Sequence, residues 1–419
     1  MTTLDELDLS DLDWWTRPIS EREEAFALLR AERPRAFFRE PDLGGFFPIG
    51  PGYWALTRHA DVTEVSHRPD DFCSGRGTNI TDLPPDFLEF FGSMINMDDP
   101  RHSRLRRIVS NGFTPKKLAS LKNDVEGIAA EIVDGIAGQG ECDFVTEVAA
   151  LLPLRVIVDL MGIPRSEEKF IFDRSNVILG FTDPEYVAAH DDPLIATAAI
   201  LTAGQELAQL VMALGEDRVK NPRNDLTTAL VTAEVDGEHL TPMELASFFI
   251  LLVVAGNETT RNAIAHGLHV LTEHPDQRDK WLADFDRVAP TAIEEIVRWA
   301  TPVVHFRRTV TRDGVRLGDQ EFSEGDKLVL WYGSANRDEA VFDDPDRFDV
   351  TRDPNPHVGF GGAGPHFCLG AHLARREMTV AFGELFRRLP DIHTVGEPAR
   401  LRSNFINGIK HLRAEFQPR

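Results

Sequence analysis

A single thiol set among glycines is the residue of this chain best placed to do chemistry. Cys368 lies in Phe360-Gly361-Gly362-Ala363-Gly364-Pro365-His366-Phe367-Cys368-Leu369-Gly370, and Ala371-His372-Leu373-Ala374-Arg375-Arg376 follows as a helix start. A cysteine that only packs as a small hydrophobe has no need of Gly361, Gly362, Gly364 and Gly370 around it. Glycine permits positive φ and lets backbone approach a ligand closely. Free backbone N–H groups and the N-terminus of the next helix favour an anionic thiolate. Such a thiolate suits the axial ligation of haem iron, where it pushes electron density onto the metal and favours O–O cleavage. A phosphate loop, the other glycine-rich option, would continue into Gly-Lys-Ser/Thr, which is absent here.

The second chemical signal is an apolar helix that turns polar at its middle: Leu251-Leu252-Val253-Val254-Ala255-Gly256-Asn257-Glu258-Thr259-Thr260-Arg261. Gly256 in a helix interior costs about 0.5–1 kcal/mol relative to alanine, and buried Glu258 and Thr259 cost more unless satisfied. A helix crossing a haem face would use this arrangement. Ala255 and Gly256 leave space for dioxygen, Thr259 positions a hydroxyl or a water beside it, and Glu258 carries protons inward. The plainer reading is a solvated Glu258 with Thr259 bonded to the carbonyl one turn back.

Two further groups are candidates for holding a cofactor or the scaffold. His102 and Arg106, in Asp99-Pro100-Arg101-His102-Ser103-Arg104-Leu105-Arg106-Arg107, share a helix face and suit a dianionic ligand, since arginine binds carboxylates through its planar fork. Glu295 and Arg298 sit one turn apart. That pattern is weak alone, contributes about 0.2–0.5 kcal/mol when exposed, and recurs at Glu258/Arg261 and Glu384/Arg387.

The elements that must position these residues read as mostly helical. Periodicity predicts helices over Glu21–Ala31, Pro115–Ile136, Ile195–Asp217, Thr241–Leu271, Asp276–Phe285, Thr291–Trp299 and Ala371–Leu389. Thr241 with Pro242 and Glu244 forms a capping-box signature. Strand signals are short: Tyr53–Thr57, Phe306–Thr311, Lys327–Tyr332 and Ile409–Phe416. A Pro- and Asp-rich meander from Asp338 to Pro356 leads into the cysteine loop. The 419 residues show no linker, repeat or low-complexity block, so residues 1–419 are expected to form one domain.

Composition excludes several classes. Lys+Arg 45 against Asp+Glu 68 gives a net charge of −23, which argues against a nucleic-acid partner. The three cysteines, Cys73, Cys142 and Cys368, have neither metal spacing nor a disulfide framework, and no Cys-x-x-Cys-His offers covalent haem attachment. The acidic N-terminus is no signal peptide. The longest apolar run, Phe248 to Ala255, falls short of the roughly 20 residues of a membrane span. A cytoplasmic monomer without a membrane span is the expectation.

In their order along the chain these motifs resemble the cytochrome P450 family of haem-thiolate monooxygenases, most strongly from Thr241 to Lys410. The resemblance implies a mainly α fold with small peripheral β-sheets, a triangular α-prism around haem b. It implies that Cys368 is the axial iron ligand and that Thr259 and Glu258 are the alcohol–acid pair of oxygen activation. His102, Arg106, Arg308 and His366 match the haem propionate partners, with Phe360 and Gly362 also beside the cofactor. Glu295 and Arg298 match the structural pair, with Arg352 as third member and Arg347 as its competitor. The family's loop usually has an aromatic seven places before the cysteine, where this chain has Gly361, leaving open which side chain covers the sulfur.

This variant loop, with Asn355-Pro356-His357-Val358-Gly359 before it and Asn404-Phe405-Ile406-Asn407-Gly408-Ile409-Lys410 near the end, looks like an actinobacterial subgroup. The subgroup includes ω-hydroxylases of methyl-branched lipids and sterol side chains. The resemblance places the substrate pocket among Ile80, Phe87, Leu88, Phe90, Phe91, Met94, Phe181, Phe248, Val253, Val254, Val303, Val304, Phe405 and Ile406. It implies dioxygen and electrons from a ferredoxin and ferredoxin reductase; by charge, a basic face of Arg104, Arg107, Lys116, Lys117, Arg375 and Arg376 suits the docking of an acidic ferredoxin. Competing readings are tailoring of a polyketide or terpenoid, a peroxygenase and a haem-based sensor.

Overall fold

A computed structural model describes residues 4–43, 47–110, 122–234, 237 and 239–419. Residues 115–121 of the expected second helix, and with them Lys116 and Lys117, lie outside the described residues; the helix is seen from Lys122 to Ile136. The long helix runs from Pro242 to Glu273, with Thr241 and Glu244 exchanging both capping-box hydrogen bonds. Its interior is apolar on nearly every face, so it has to be enclosed. The Pro193–Lys220 and Leu151–Met161 helices pack along it, and Phe285–Ala300 and Ala371–Arg388 close the other side. Phe248, Phe249, Val253, Ile264, Leu268, Phe382 and Leu385 meet in the main core.

Pro193–Lys220 and Pro242–Glu273 are long and apolar enough to cross a membrane by composition. Here the long helix is the centre of the core, which accounts for its hydropathy.

Several helices escaped the sequence reading. Leu151–Met161 buries most of its residues, so it carries little of the polar–apolar periodicity that marks a surface helix. Glu168–Leu179 and His59–His67 are short or charged, whereas Arg101–Ser110 is the helix on whose face His102 and Arg106 were expected.

The strands gather into small sheets at the periphery. In the five-stranded sheet, Arg35–Phe38, Tyr53–Leu56, Lys327–Trp331, His305–Val310 and Phe72–Cys73 lie side by side in that order. Tyr53–Leu56 pairs in parallel with Lys327–Trp331, in the register Trp54 to Leu328; the other pairings are antiparallel. The expected C-terminal strand is split into Ile409–His411 and Arg413–Glu415, which join different sheets. The sheet carries Arg308 inward on His305–Val310, where it is buried.

Candidate active site

The cysteine loop folds back on itself before the Ala371–Arg388 helix. The Cys368 N–H donates to the Phe360 carbonyl at 3.0 Å, and Gly370 is the N-cap of the helix. Gly361 adopts φ 90° and Gly364 φ 143°, conformations that an L side chain rarely takes. A Cβ on Gly364 would also lie 2.2 Å from the Ser66 carbonyl oxygen. The glycine at position 361 thus meets a conformational requirement, and Phe360, one residue earlier, lines the same cavity as Cys368. The Arg375 guanidinium stacks over that ring at 4.4 Å.

Cys368 is exposed by area, yet sits deep in the fold, because the surface it presents belongs to an internal cavity. Burial pushes its thiol up; the Gly370 and Ala371 N–H groups and the Arg106 and Arg375 cations act in the opposite sense. The cavity, about 240 Å³, is also lined by Ala255, Gly256 and Thr259 from the long helix and by His102, Arg106, Arg308, His366, Phe360 and Gly362. Thiol and polar helix turn thus share one chamber.

The donor set fits a flat dianionic cofactor. His102 and His366 lie with ring centroids 4.3 Å apart. Burial drives the His366 imidazole down to about 2 and lowers His102 and Arg308. The buried Nε2 of His102 has no hydrogen-bond partner among the described residues, although its Nδ1 lies 3.7 Å from Asp99. Arg308 donates to the Arg307 carbonyl and Arg106 to the Phe367 carbonyl, and both arginines still line the cavity. A buried imidazole nitrogen without a partner is costly unless a ligand supplies one; the propionates of haem would supply it, and would also accept from the two arginines. A neighbouring thiol becomes a thiolate outright when it coordinates a metal.

A second cavity, about 260 Å³, adjoins the first. Both are lined by Ile95, Leu251, Ala255, Thr259, Val303 and Phe306. Of the predicted pocket residues, Ile80, Phe87, Phe91, Phe181, Val254, Val303, Phe405 and Ile406 line the second cavity, while Met94 and Phe248 line the first. Val253, Val304, Leu88 and Phe90 line neither. Val253 points into the main core and Val304 into the cluster around Trp15 and Trp331. Consecutive helix residues point about 100° apart, so only Val254 of the helix pair reaches the cavity; Val303 bridges to Ile406 just before the His305–Val310 strand and faces the cavity, whereas Val304 does not. Thr197, Ile200, Phe47 and Phe306 also line the cavities and were missed; no local pattern distinguishes them from core residues.

On the long helix, Thr259 Oγ1 donates to the Ala255 carbonyl at 2.6 Å while still facing both cavities. Gly256 has a packing role as well, since a Cβ there would meet Ile157 Cδ1 at 3.0 Å. Glu258 turns away from the cavities and is paired with Arg261; both are buried. Arg261 also donates to Asn176 Oδ1 at 3.0 Å. Burial raises the Glu258 carboxyl, and Arg261 opposes the rise. Oε1 of Glu258, Nε of Arg261 and both amide atoms of Asn257 are buried without partners among the described residues.

Glu295 is the hub of the scaffold behind the cysteine loop. It accepts two hydrogen bonds at 2.8 Å from Arg298, one at 3.2 Å from Arg352, one at 2.9 Å from the Asp349 N–H and one at 3.1 Å from Asn355. Arg352 is thus the third member. Arg347 pairs with Asp349 and offers only its carbonyl to the cluster. The basic face expected to dock a ferredoxin is largely paired internally: Arg104 with Glu244, Arg375 with Glu294 and Arg376 with Glu126.

Residues 197–390 match the family model for cytochrome P450. The chain is 51% identical over 410 residues to the methyl-branched lipid omega-hydroxylase of Mycobacterium tuberculosis, covering 97% of this chain and 94% of that protein. It is 42% identical to the steroid C26-monooxygenase of Rhodococcus jostii, over 98% of this chain and 84% of the relative. A solved Mycobacterium marinum cytochrome P450 in complex with pseudoionone superposes with a TM-score of 0.93 at 42% identity, over 99% of this chain and 100% of that one. A chamber that joins a thiol to a polar helix turn, in a chain with these relatives, leads to one assignment: the protein belongs to the cytochrome P450 family and is a monooxygenase with a thiolate-ligated haem b.

Proposed function

We propose that the protein hydroxylates a terminal C–H bond of a methyl-branched lipid, an isoprenoid or a sterol side chain. The observation that carries this reading is the junction of the two cavities. An apolar chamber walled by Phe87, Phe91, Phe181, Val254, Phe405 and Ile406 meets the cysteine chamber beside Ala255, Thr259, Val303 and Phe306. Apolar walls retain a hydrocarbon chain by removing it from water, and the junction presents a chain end to the reacting position. The named activities of the lipid and steroid relatives support the same substrate class.

Bound haem supplies the iron at which dioxygen is activated. Cys368 would hold that iron, and His102, Arg106, Arg308 and His366, which line the same cavity, would take the propionates. Thr259 keeps a hydroxyl at the junction, where it orients a water or the oxygen, and Ala255 leaves the room. Glu258, next to Thr259 in the chain, is the acid that relays a proton towards it when its carboxyl is released from Arg261. The whole chain works as one cytoplasmic domain, with electrons from a ferredoxin and its reductase.

A spectral binding screen of the ferric holoenzyme tests this. Branched fatty acids and sterols should displace the iron-bound water and give a low-to-high spin shift, and turnover should place the hydroxyl at the chain terminus. Spin shifts with polar polyketides alone, or hydroxylation confined to mid-chain positions, would overturn the reading.

A further inference from the structure

Glu377 is a buried carboxylic acid with no part in the proposed oxygen chemistry. It sits on the Ala371–Arg388 helix, is 3% exposed, and lines the same cavity as Cys368, beside Thr260, Ala263 and Met378. Among the described residues no cation or hydrogen-bond donor reaches it, and most of the charged groups described on the helices packed around it are engaged elsewhere. On Lys122–Ile136, Glu126, Glu131 and Asp134 pair with Arg376, Arg165 and Arg388. On Leu151–Met161, Arg155 and Asp159 pair with Glu168 and Arg165. On the long helix, Glu258 pairs with Arg261, and His266 bonds the Asn407 carbonyl. On Phe285–Ala300, Glu294 and Glu295 pair with Arg375 and Arg298. On its own helix, Arg387 pairs with Glu384 and His372 is exposed. Burial alone pushes the Glu377 carboxyl up to about 8.

We propose that Glu377 couples reduction of the haem iron to uptake of one proton. An external one-electron donor, an iron–sulfur protein in the cell or dithionite in vitro, reduces ferric to ferrous iron and leaves one more negative charge in the chamber. Charges interact strongly in this low-dielectric interior, so an ionised Glu377 then binds a proton from solvent and becomes the neutral acid. The only bond formed is its O–H. With no counter-cation beside it among the described residues, the carboxyl is free to answer the charge on the iron, which the paired carboxylates around it are not.

The measurement is the reduction potential of the holoenzyme by spectroelectrochemical titration, from neutral pH to more than a unit above the titration of the carboxyl. The wild-type potential should be flat at neutral pH, where Glu377 already holds its proton. It should then fall as pH rises past about 8, by at most tenfold in equilibrium constant per pH unit, about 59 mV for one electron. Glu377→Gln, which mimics the neutral acid, should keep the neutral-pH potential and lose the slope. A flat wild-type curve, or a Glu377→Gln curve with the wild-type slope, overturns the proposal. Should that variant fail to hold haem, redox-difference infrared spectra of the wild type above that pH decide. The C=O stretch of a protonated carboxyl should grow on reduction, and its absence refutes the coupling.

Discussion

The Phe285–Ala300 helix and the middle of the long helix each bury a glutamate with an arginine one turn on, and the two pairs differ in what surrounds them. Glu295 and Arg298 are held by Arg352, Asn355, the Asp349 N–H and backbone carbonyls of Asn336 and Pro345. Glu258 and Arg261 have Asn176 and each other, and leave Oε1 and Nε without partners among the described residues. A fully satisfied buried network is rigid and specifies one arrangement, whereas a partly satisfied one is costly. The first pair fixes the meander and the cysteine loop that follows it. The second leaves polar atoms of a buried carboxyl and guanidinium unpartnered among the described residues, at the cost of stability.

The largest expected effect comes from breaking the first network. Arg298→Ala leaves Glu295 buried with too few donors and should lower unfolding stability by about 3–5 kcal/mol. Denaturant titration of the apoprotein and the yield of haem-loaded protein check this; a stable, fully loaded variant would erase the contrast between the two pairs.

The second variant is Glu258→Leu with Arg261→Leu. Replacing an imperfectly satisfied buried pair by apolar side chains is often neutral or stabilising by about 1–4 kcal/mol. The variant should therefore match or exceed the wild type in stability, while product formation falls about 100-fold through loss of the proton-bearing group. The corresponding double replacement at Glu295 and Arg298 should not be tolerated, because Arg352, Asn355 and the Asp349 N–H would lose their acceptor. Equal stability changes at the two sites would remove the distinction.

The smallest effect concerns Glu294, next to the hub. Burial works against its charge, but hydrogen bonds from His357 and Arg375 hold its carboxyl down at about 2. A carboxyl lowered on folding contributes stability that is fully present above its unfolded pKa of about 4.3 and is lost as pH falls toward 2. Acid unfolding of Glu294→Gln should therefore depend less steeply on pH between those values than that of the wild type, with the two converging at the acid end. Parallel curves would show that the pair carries no acid dependence.

The features that could be read along the chain were those written into local backbone chemistry. The glycines of the cysteine loop reappear as positive φ angles at Gly361 and Gly364, and the Thr241 capping box closes as its spacing implied. What could not be read were properties set by neighbours distant in sequence. Val253 and Val254 are equivalent as letters, and Val303 and Val304 likewise, but only one of each pair faces a cavity. Phe306 stands at the junction of both cavities because His305–Val310 joins the sheet with Lys327–Trp331, and no nearby residue announces that. The Leu151–Met161 helix stayed hidden because burial nearly all round removes the contrast on which periodicity depends.

The Glu-x-x-Arg pattern lies within a single helix at Glu258, Glu295 and Glu384, and these three fates divide what each level of description controls. By itself the chain determined that each pair would meet on one helix face, that Cys368 would stand in a loop only glycine can form, and that the apolar long helix would have to be enclosed. These follow from helical spacing, φ restriction and hydrophobicity. Only the tertiary structure decided that Glu295 would be saturated, Glu258 half-satisfied, Glu384 near the surface with an exposed Arg387, and Glu377 buried with no counter-charge among the described residues. A charged group's behaviour depends on its solvation and on partners brought in from elsewhere in the chain, and packing alone supplies both.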